Sequence, residues 1–129
     1  MTDALESAGA ALLLAAGSST RFGSDKRKLL FNGVPLLAYV AALYKRVCPR
    51  VLVVVKPGDD DVADLVDGSY EFVVARDANI GMSRSIATGI RALETAPWVI
   101  IGLADMPYVA SDTIAQIARE MEGGTPIAR

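Results

Sequence analysis

The sequence predicts an α/β domain: a mainly parallel sheet with helices on both faces. Three observations carry that reading. Four short apolar runs, Ala10–Ala15, Val51–Val55, Phe72–Ala75 and Trp98–Ile101, each read as a strand buried on both sides. Between and after them lie stretches with apolar residues at helix spacing, and strands alternating with helices mean a parallel sheet covered on both faces. At 129 residues, with 52% hydrophobic and 22% charged residues, the chain has the size and balance of one globular domain, residues 1–129.

The elements follow in order. Ala10 to Ala15 is continuous apolar sequence that stops at Gly17, the pattern of a central strand. A basic loop with glycines and serines runs from Ala16 to about Asn32. Pro35 is placed to open a helix in which Leu36, Val40, Leu43 and Val47 share a face, and Pro49 ends it. The β-branched run Val51–Val55 is closed by Pro57-Gly58. Asp59-Asp60-Asp61 puts carboxylates at the positive end of a short helix, about Val62 to Val66. Met82, Ile86, Ile90 and Leu93 mark a further amphipathic helix, and Ser111 or Asp112 caps a last one ending near Met121.

Composition excludes several functions. With 13 basic and 15 acidic side chains the chain lacks the basic excess of a nucleic-acid binder. It has no histidine, which removes Ser-His-Asp and Cys-His nucleophile systems and His-ligated metal sites. The single Cys48 cannot form an internal disulfide, and a reducing, cytoplasmic setting is expected. Asp3 and Glu6 replace the basic n-region of a signal peptide, and the run from Ala10 to Ala16 is far short of the ~20 residues that span a bilayer. No membrane role is expected; the mean hydropathy of +0.35 reflects buried strands and alanines.

In parallel sheets ligands sit beyond the C-terminal strand ends, so the loops after the strands are the candidates. The first, Ala16–Lys28, holds Gly17 and Gly23, which let backbone turn sharply and approach a ligand closely. Arg21, Lys26, Arg27 and Lys28 add four cations within eight residues. Amides of such a loop can form an anion nest, and a polyphosphate fits; a merely solvated basic loop is the plainer alternative. It is not a P-loop, because five residues separate Gly17 from Gly23 and no Gly-Lys-Ser/Thr follows. Nor is it the G-x-G-x-x-G dinucleotide fingerprint, which speaks against a nicotinamide-dependent oxidoreductase. Asp105, just past the fourth strand, can hold Mg²⁺ together with substrate phosphates, or can be ordinary turn chemistry before Pro107. Ser83 can be a helix cap or a ligand contact. Arg84 and Arg91 are read as solvated, and Asp59–Asp61 as helix entry rather than a metal cluster.

The strings LAAGSSTRFGSDK, GMSRSIATGIRAL and LADMP, in that order and spacing, resemble the MobA-like NTP transferases, the molybdenum-cofactor cytidylyl- and guanylyltransferases and their relatives. The first string is shared with sugar-phosphate nucleotidyltransferases. The resemblance covers nearly the whole chain. It implies the Rossmann-like nucleotide-diphospho-sugar transferase fold, a three-layer nucleotidyltransferase domain. It also implies Mg²⁺-dependent transfer of an NMP from an NTP to a phosphorylated acceptor, with molybdopterin foremost. By the same resemblance Leu14, Ala15, Ala16, Gly17 and Ser18 line the base and phosphates. Arg21 and Lys26 hold the triphosphate, Lys26 being preferred to Lys28 on its spacing after Gly23. Asp77 or Asn79 sits near the base or ribose, and Asp105 coordinates Mg²⁺. Ala16, where many guanylyl members carry glycine, favours CTP, with GTP next. The family domain normally continues with further strands and much of the acceptor pocket, so the chain is expected to be the N-terminal, nucleotide-binding part, truncated at its C-terminus. A nucleotide- or cofactor-binding module without turnover, serving a molybdoenzyme client, and a sugar-phosphate nucleotidyltransferase are the alternatives.

Overall fold

The computed structural model describes residues 9–16, 26–59, 61–106, 108 and 111–122. Four strands form a parallel sheet: β1 (Ala10–Leu14), β4 (Arg50–Val55), β5 (Glu71–Val74) and β6 (Val99–Leu103), in the order β5-β4-β1-β6. β2 (Leu30–Phe31) and β3 (Val34–Pro35) form a separate antiparallel hairpin. The helices are α1 (Leu36–Lys45), α2 (Met82–Ala92) and α3 (Ser111–Glu122).

β1 is central because both of its edges are paired. Leu12 stands opposite Leu52 on one side and Ile101 on the other. Alternate residues then bury on opposite faces. Ala11, Leu13 and Val51 pack with Val40, Ala41 and Tyr44 of α1 and with Ile114 and Ala118 of α3. Ala10, Leu12, Leu52 and Val54 form the opposite core with Leu93, at the end of α2. The expected three layers result, and none of the helices among the described residues is long and apolar enough to cross a membrane.

The first helix ends at Lys45, short of Val47, and β5 ends the strand order with Glu71 and Val74 exposed rather than buried on both sides. Three further details depart from the sequence reading, each for a local reason. The stretch before Pro35 holds a hairpin rather than plain loop. Asn32 and Gly33 turn it at φ 53° and 84°, the paired positive angles of a tight two-residue connection, and the Asn-Gly pair was its signal. Residues Val62–Leu65 form a 3₁₀ turn, not an α-helix. β6 runs on to Leu103, because Gly102 and Leu103 continue the pairing with Leu13 and Leu14. Glycine at 102 leaves room for Tyr44, whose hydroxyl would lie 2.2 Å from an added Cβ.

Helix α2 approaches the sheet closely through Gly89, where a Cβ would lie 2.2 Å from Leu12 Cδ1 and 3.0 Å from Val54 Cγ2. Gly89→Ala is therefore expected to destabilise the fold. Overpacking costs about 1–3 kcal/mol, which outweighs the gain of roughly 1 kcal/mol from better helix propensity. Denaturant unfolding checks the sign; a more stable variant would mean that α2 can move off the sheet at no cost.

Candidate functional site

The order β5-β4-β1-β6 contains a switch point. From β1 the chain moves to β4 and β5 on one side, then crosses back to lay β6 on the other. The ends of β1 and β6 stand side by side there, and a parallel sheet opens its ligand crevice at such a place. A cleft of about 340 Å³ occupies it. It is lined by the end of β1, Leu14, Ala15 and Ala16, and beside it by the end of β6, Leu103, Ala104 and Asp105. Ala78, Met82 and Ser85 contribute from the start of α2 and the turn before it, and Arg27 from the 3₁₀ turn Lys26–Lys28.

The walls are held by backbone. Ala104 N–H donates to the Leu14 carbonyl (3.1 Å) and Ala15 N–H to the Val54 carbonyl (2.8 Å), so pairing runs one residue beyond each strand. Ala15 and Ala16 border the cleft with small side chains and are themselves nearly fully buried. The Asp105 side chain is exposed at the cleft, in a turn closed by Met106 N–H on the Leu103 carbonyl. It thus sits in a turn and lines the cleft, as each of the two sequence readings required.

Of the residues expected to form the site, Leu14, Ala15, Ala16 and Asp105 are brought together in this cleft. Asp77 and Asn79 flank the lining residue Ala78 but are themselves exposed and do not line the cleft; Asp77 faces Arg84 at 3.9 Å. Gly17, Ser18 and Arg21, and the side chain of Lys26, lie outside the described residues. Lys28 is ion-paired with Asp61. Ser83 is exposed and makes no side-chain cap of α2. Among the described residues no three His, Cys, Asp or Glu side chains cluster as a metal cage. A single hard carboxylate, Asp105, fits Mg²⁺, which binds through one or two carboxylates plus substrate phosphates.

Sequence reasoning counts Arg27 only as one of four loop cations and Asp59 only as helix entry; it does not join them. The Arg27 side chain is 7% exposed. Its Nη1 donates to the Ala15 carbonyl (2.9 Å) and to Asp59 Oδ2 (2.7 Å), and its Nη2 to Asp59 Oδ1 (3.1 Å). Asp59 also accepts from the Lys56 amide and from Lys56 Nζ, both at 3.0 Å. Burial raises the Asp59 pKa, but the hydrogen bonds from Arg27 and Lys56 and the Arg27 charge outweigh it and bring the carboxyl down to about 2. The pair joins positions 32 residues apart, so no local pattern announced it.

The model of the MobA-like NTP transferase domain matches residues 11–129. The chain belongs to the MobA-like NTP transferase family. Among curated members and relatives, a probable molybdenum cofactor guanylyltransferase of Chloroflexus aggregans is 31% identical over 111 residues, 84% of this chain and 51% of that protein. A 2-C-methyl-D-erythritol 4-phosphate cytidylyltransferase of Shouchella clausii is 28% identical, over 92% of this chain and 56% of the relative. The chain thus spans about half the length of these relatives. A solved nucleotidyl transferase of Methanothermobacter thermautotroptrophicus shares the fold, with a TM-score of 0.73 at 22% identity, over 87% of this chain and 57% of the other. Leu14–Ala16 and Leu103–Asp105, from the stretches that resemble the family, both line the cleft.

Proposed function

We propose that this protein binds an NTP in the cleft between the ends of β1 and β6 and transfers its NMP to a phosphorylated acceptor, releasing pyrophosphate. One observation supports the reading: two stretches that resemble the family's motifs, far apart in the chain, lie side by side and line one cleft at the switch point. CTP is the favoured nucleotide and GTP the next. Molybdopterin is the favoured acceptor, in line with the relative named as a molybdenum cofactor guanylyltransferase. A sugar-type phosphate is the second reading, supported by the relative named as a methylerythritol-phosphate cytidylyltransferase.

The chemistry suits a chain without histidine. An acceptor phosphate oxygen, already anionic, attacks the α-phosphorus in line, and pyrophosphate leaves; no general base is required. What remains is positioning and charge stabilisation. The Ala15–Ala16 backbone would approach the nucleotide, Gly17 and Ser18 would cradle phosphate with their amides, and Arg21 and Lys26 would balance the triphosphate charge. Asp105 would hold Mg²⁺, which when bound supplies charge neutralisation at the phosphates.

The test is equilibrium binding of CTP, GTP, ATP and UTP, each with and without Mg²⁺, followed by pyrophosphate release with molybdopterin and with a sugar phosphate. Selective, Mg²⁺-dependent binding and release with one acceptor is the expected result. Binding with no release under either acceptor would favour a binding module for a molybdoenzyme, and no binding from folded protein would overturn the reading.

A further inference from the structure

We propose that Arg27 and Asp59 form a positioning strut that orients the Ala15–Ala16 peptide for the nucleotide; the proposal rests on the reading that the cleft takes an NTP. The strut closes the first loop on itself, because Ala15 stands at that loop's start and Arg27 at its end. Asp59 ties both to the loop after β4, where Lys56 grips the same carboxylate through its amide and its ammonium.

A buried ion pair is a poor source of net stability, since desolvation consumes most of the attraction, and apolar residues of similar volume often serve a core as well. What a guanidinium–carboxylate fork supplies is direction. Asp59 takes one N–H from each terminal nitrogen of Arg27, which fixes the plane of the guanidinium. Nη1 then meets the Ala15 carbonyl at 2.9 Å. No peptide among the described residues is cis, so pinning that carbonyl also sets the Ala16 N–H, which points the opposite way across the same planar unit. Ala15, Ala16 and Arg27 all border the cleft, so a rotation of this one peptide would reshape the wall that the nucleotide meets.

The role is positioning, and its test must separate it from simple structural support and from direct contact with phosphate. Three variants of the full chain serve: Arg27→Met/Asp59→Leu, Arg27→Lys and Asp59→Asn. Each is measured for melting temperature, for the Kd of the Mg²⁺ complex of the nucleotide that wild type prefers, and for the dependence of that Kd on salt. The double variant is expected to melt within a few degrees of wild type yet bind about tenfold to a hundredfold more weakly, the order of loss that a small misplacement causes. Arg27→Lys, which keeps the charge but loses the fork, and Asp59→Asn, which keeps the shape but loses the charge, are both expected to weaken binding. The salt dependence should stay as in wild type in all three, because no phosphate contact is removed.

A stable double variant with wild-type Kd would show the pair to be structural only. A shallower salt dependence in the Arg27 variants, with Asp59→Asn binding normally, would show Arg27 to be a direct phosphate ligand; either result overturns the strut. Should the double variant fail to fold, the two single variants decide by the same criteria. A wild type that binds none of the four nucleotides would sink the cleft reading and the strut together, a pattern distinct from wild type and variants binding alike.

Discussion

Asp105→Ala is expected to lower the rate of NMP transfer by roughly 10²–10³, the loss that follows removal of one preorganised electrostatic contact. Its fold should hardly change, because the side chain is exposed and the turn is closed by backbone, Met106 N–H on the Leu103 carbonyl. The carboxylate lines the cleft just past β6, beside the Ala15–Ala16 end of β1, and is the only acid among the described residues that line it. A lone hard oxygen ligand of this kind leaves most of the metal's coordination to phosphate and water. Mg²⁺-dependent nucleotide binding should therefore weaken in step with turnover, while binding without Mg²⁺ should not. Steady-state pyrophosphate release with wild type and variant is the measurement. A loss of tenfold or less would remove Asp105 from the reaction and leave it as turn chemistry.

The largest effect on stability is expected from Asp59→Ala. It strips the carboxylate from a guanidinium that is nearly fully buried, and breaking a buried pair on one side costs about 3–5 kcal/mol. The same contact makes wild-type stability depend on acid. With the carboxyl held at about 2 in the folded protein, against an ordinary value of 3.8, Asp59 contributes about 2–3 kcal/mol. The folded-state pKa is the depressed one, so this contribution is fully present above about pH 5 and disappears as pH falls toward 2. Chemical denaturation of wild type and Asp59→Asn across that range should show the gap between them closing with acidity. A gap that stays constant from neutral pH to pH 2 would mean that the Asp59 charge does not stabilise the fold.

Much of the architecture was legible because burial on both faces writes continuous apolar strands, as in β1 and β4; β6 is equally apolar but ends the strand order with Ile101 exposed. α1 and α2 were legible from spacing alone. The hairpin of β2 and β3 was not read, although Asn32-Gly33 signals one, because two-residue strands are too short to show alternation. In the site, Leu14–Ala16 and Asp105 could be placed because a strand end and a recognisable motif coincide. Arg27 could not. In sequence it is one of four neighbouring cations, and only its distant partner Asp59 distinguishes it from Lys28, which pairs with the exposed Asp61. Asp59 does enter the following turn, its carbonyl accepting from the Val62 amide, but its carboxylate is bound to Lys56 and, across the molecule, to Arg27. Asp77 and Asn79 are exposed on either side of Ala78, which lines the cleft.

The switch point also sets the order in which the protein acquires its site. Residues 14–16 are synthesised early, and residues 103–105, which border the same cleft beside them, come roughly ninety positions later. β1, β4 and β5 can pair before β6 exists, but no cleft exists until Val99–Leu103 adds to the far edge of β1 and the Ala104 amide reaches the Leu14 carbonyl. That closure spans most of the described chain and belongs to the slow, non-local class of contacts. Binding competence is thus a late product of folding. In refolding from denaturant, a fluorescent nucleotide should gain signal with the docking of β6 rather than with the burial of the first two strands, and excess nucleotide should hold the docked state by mass action.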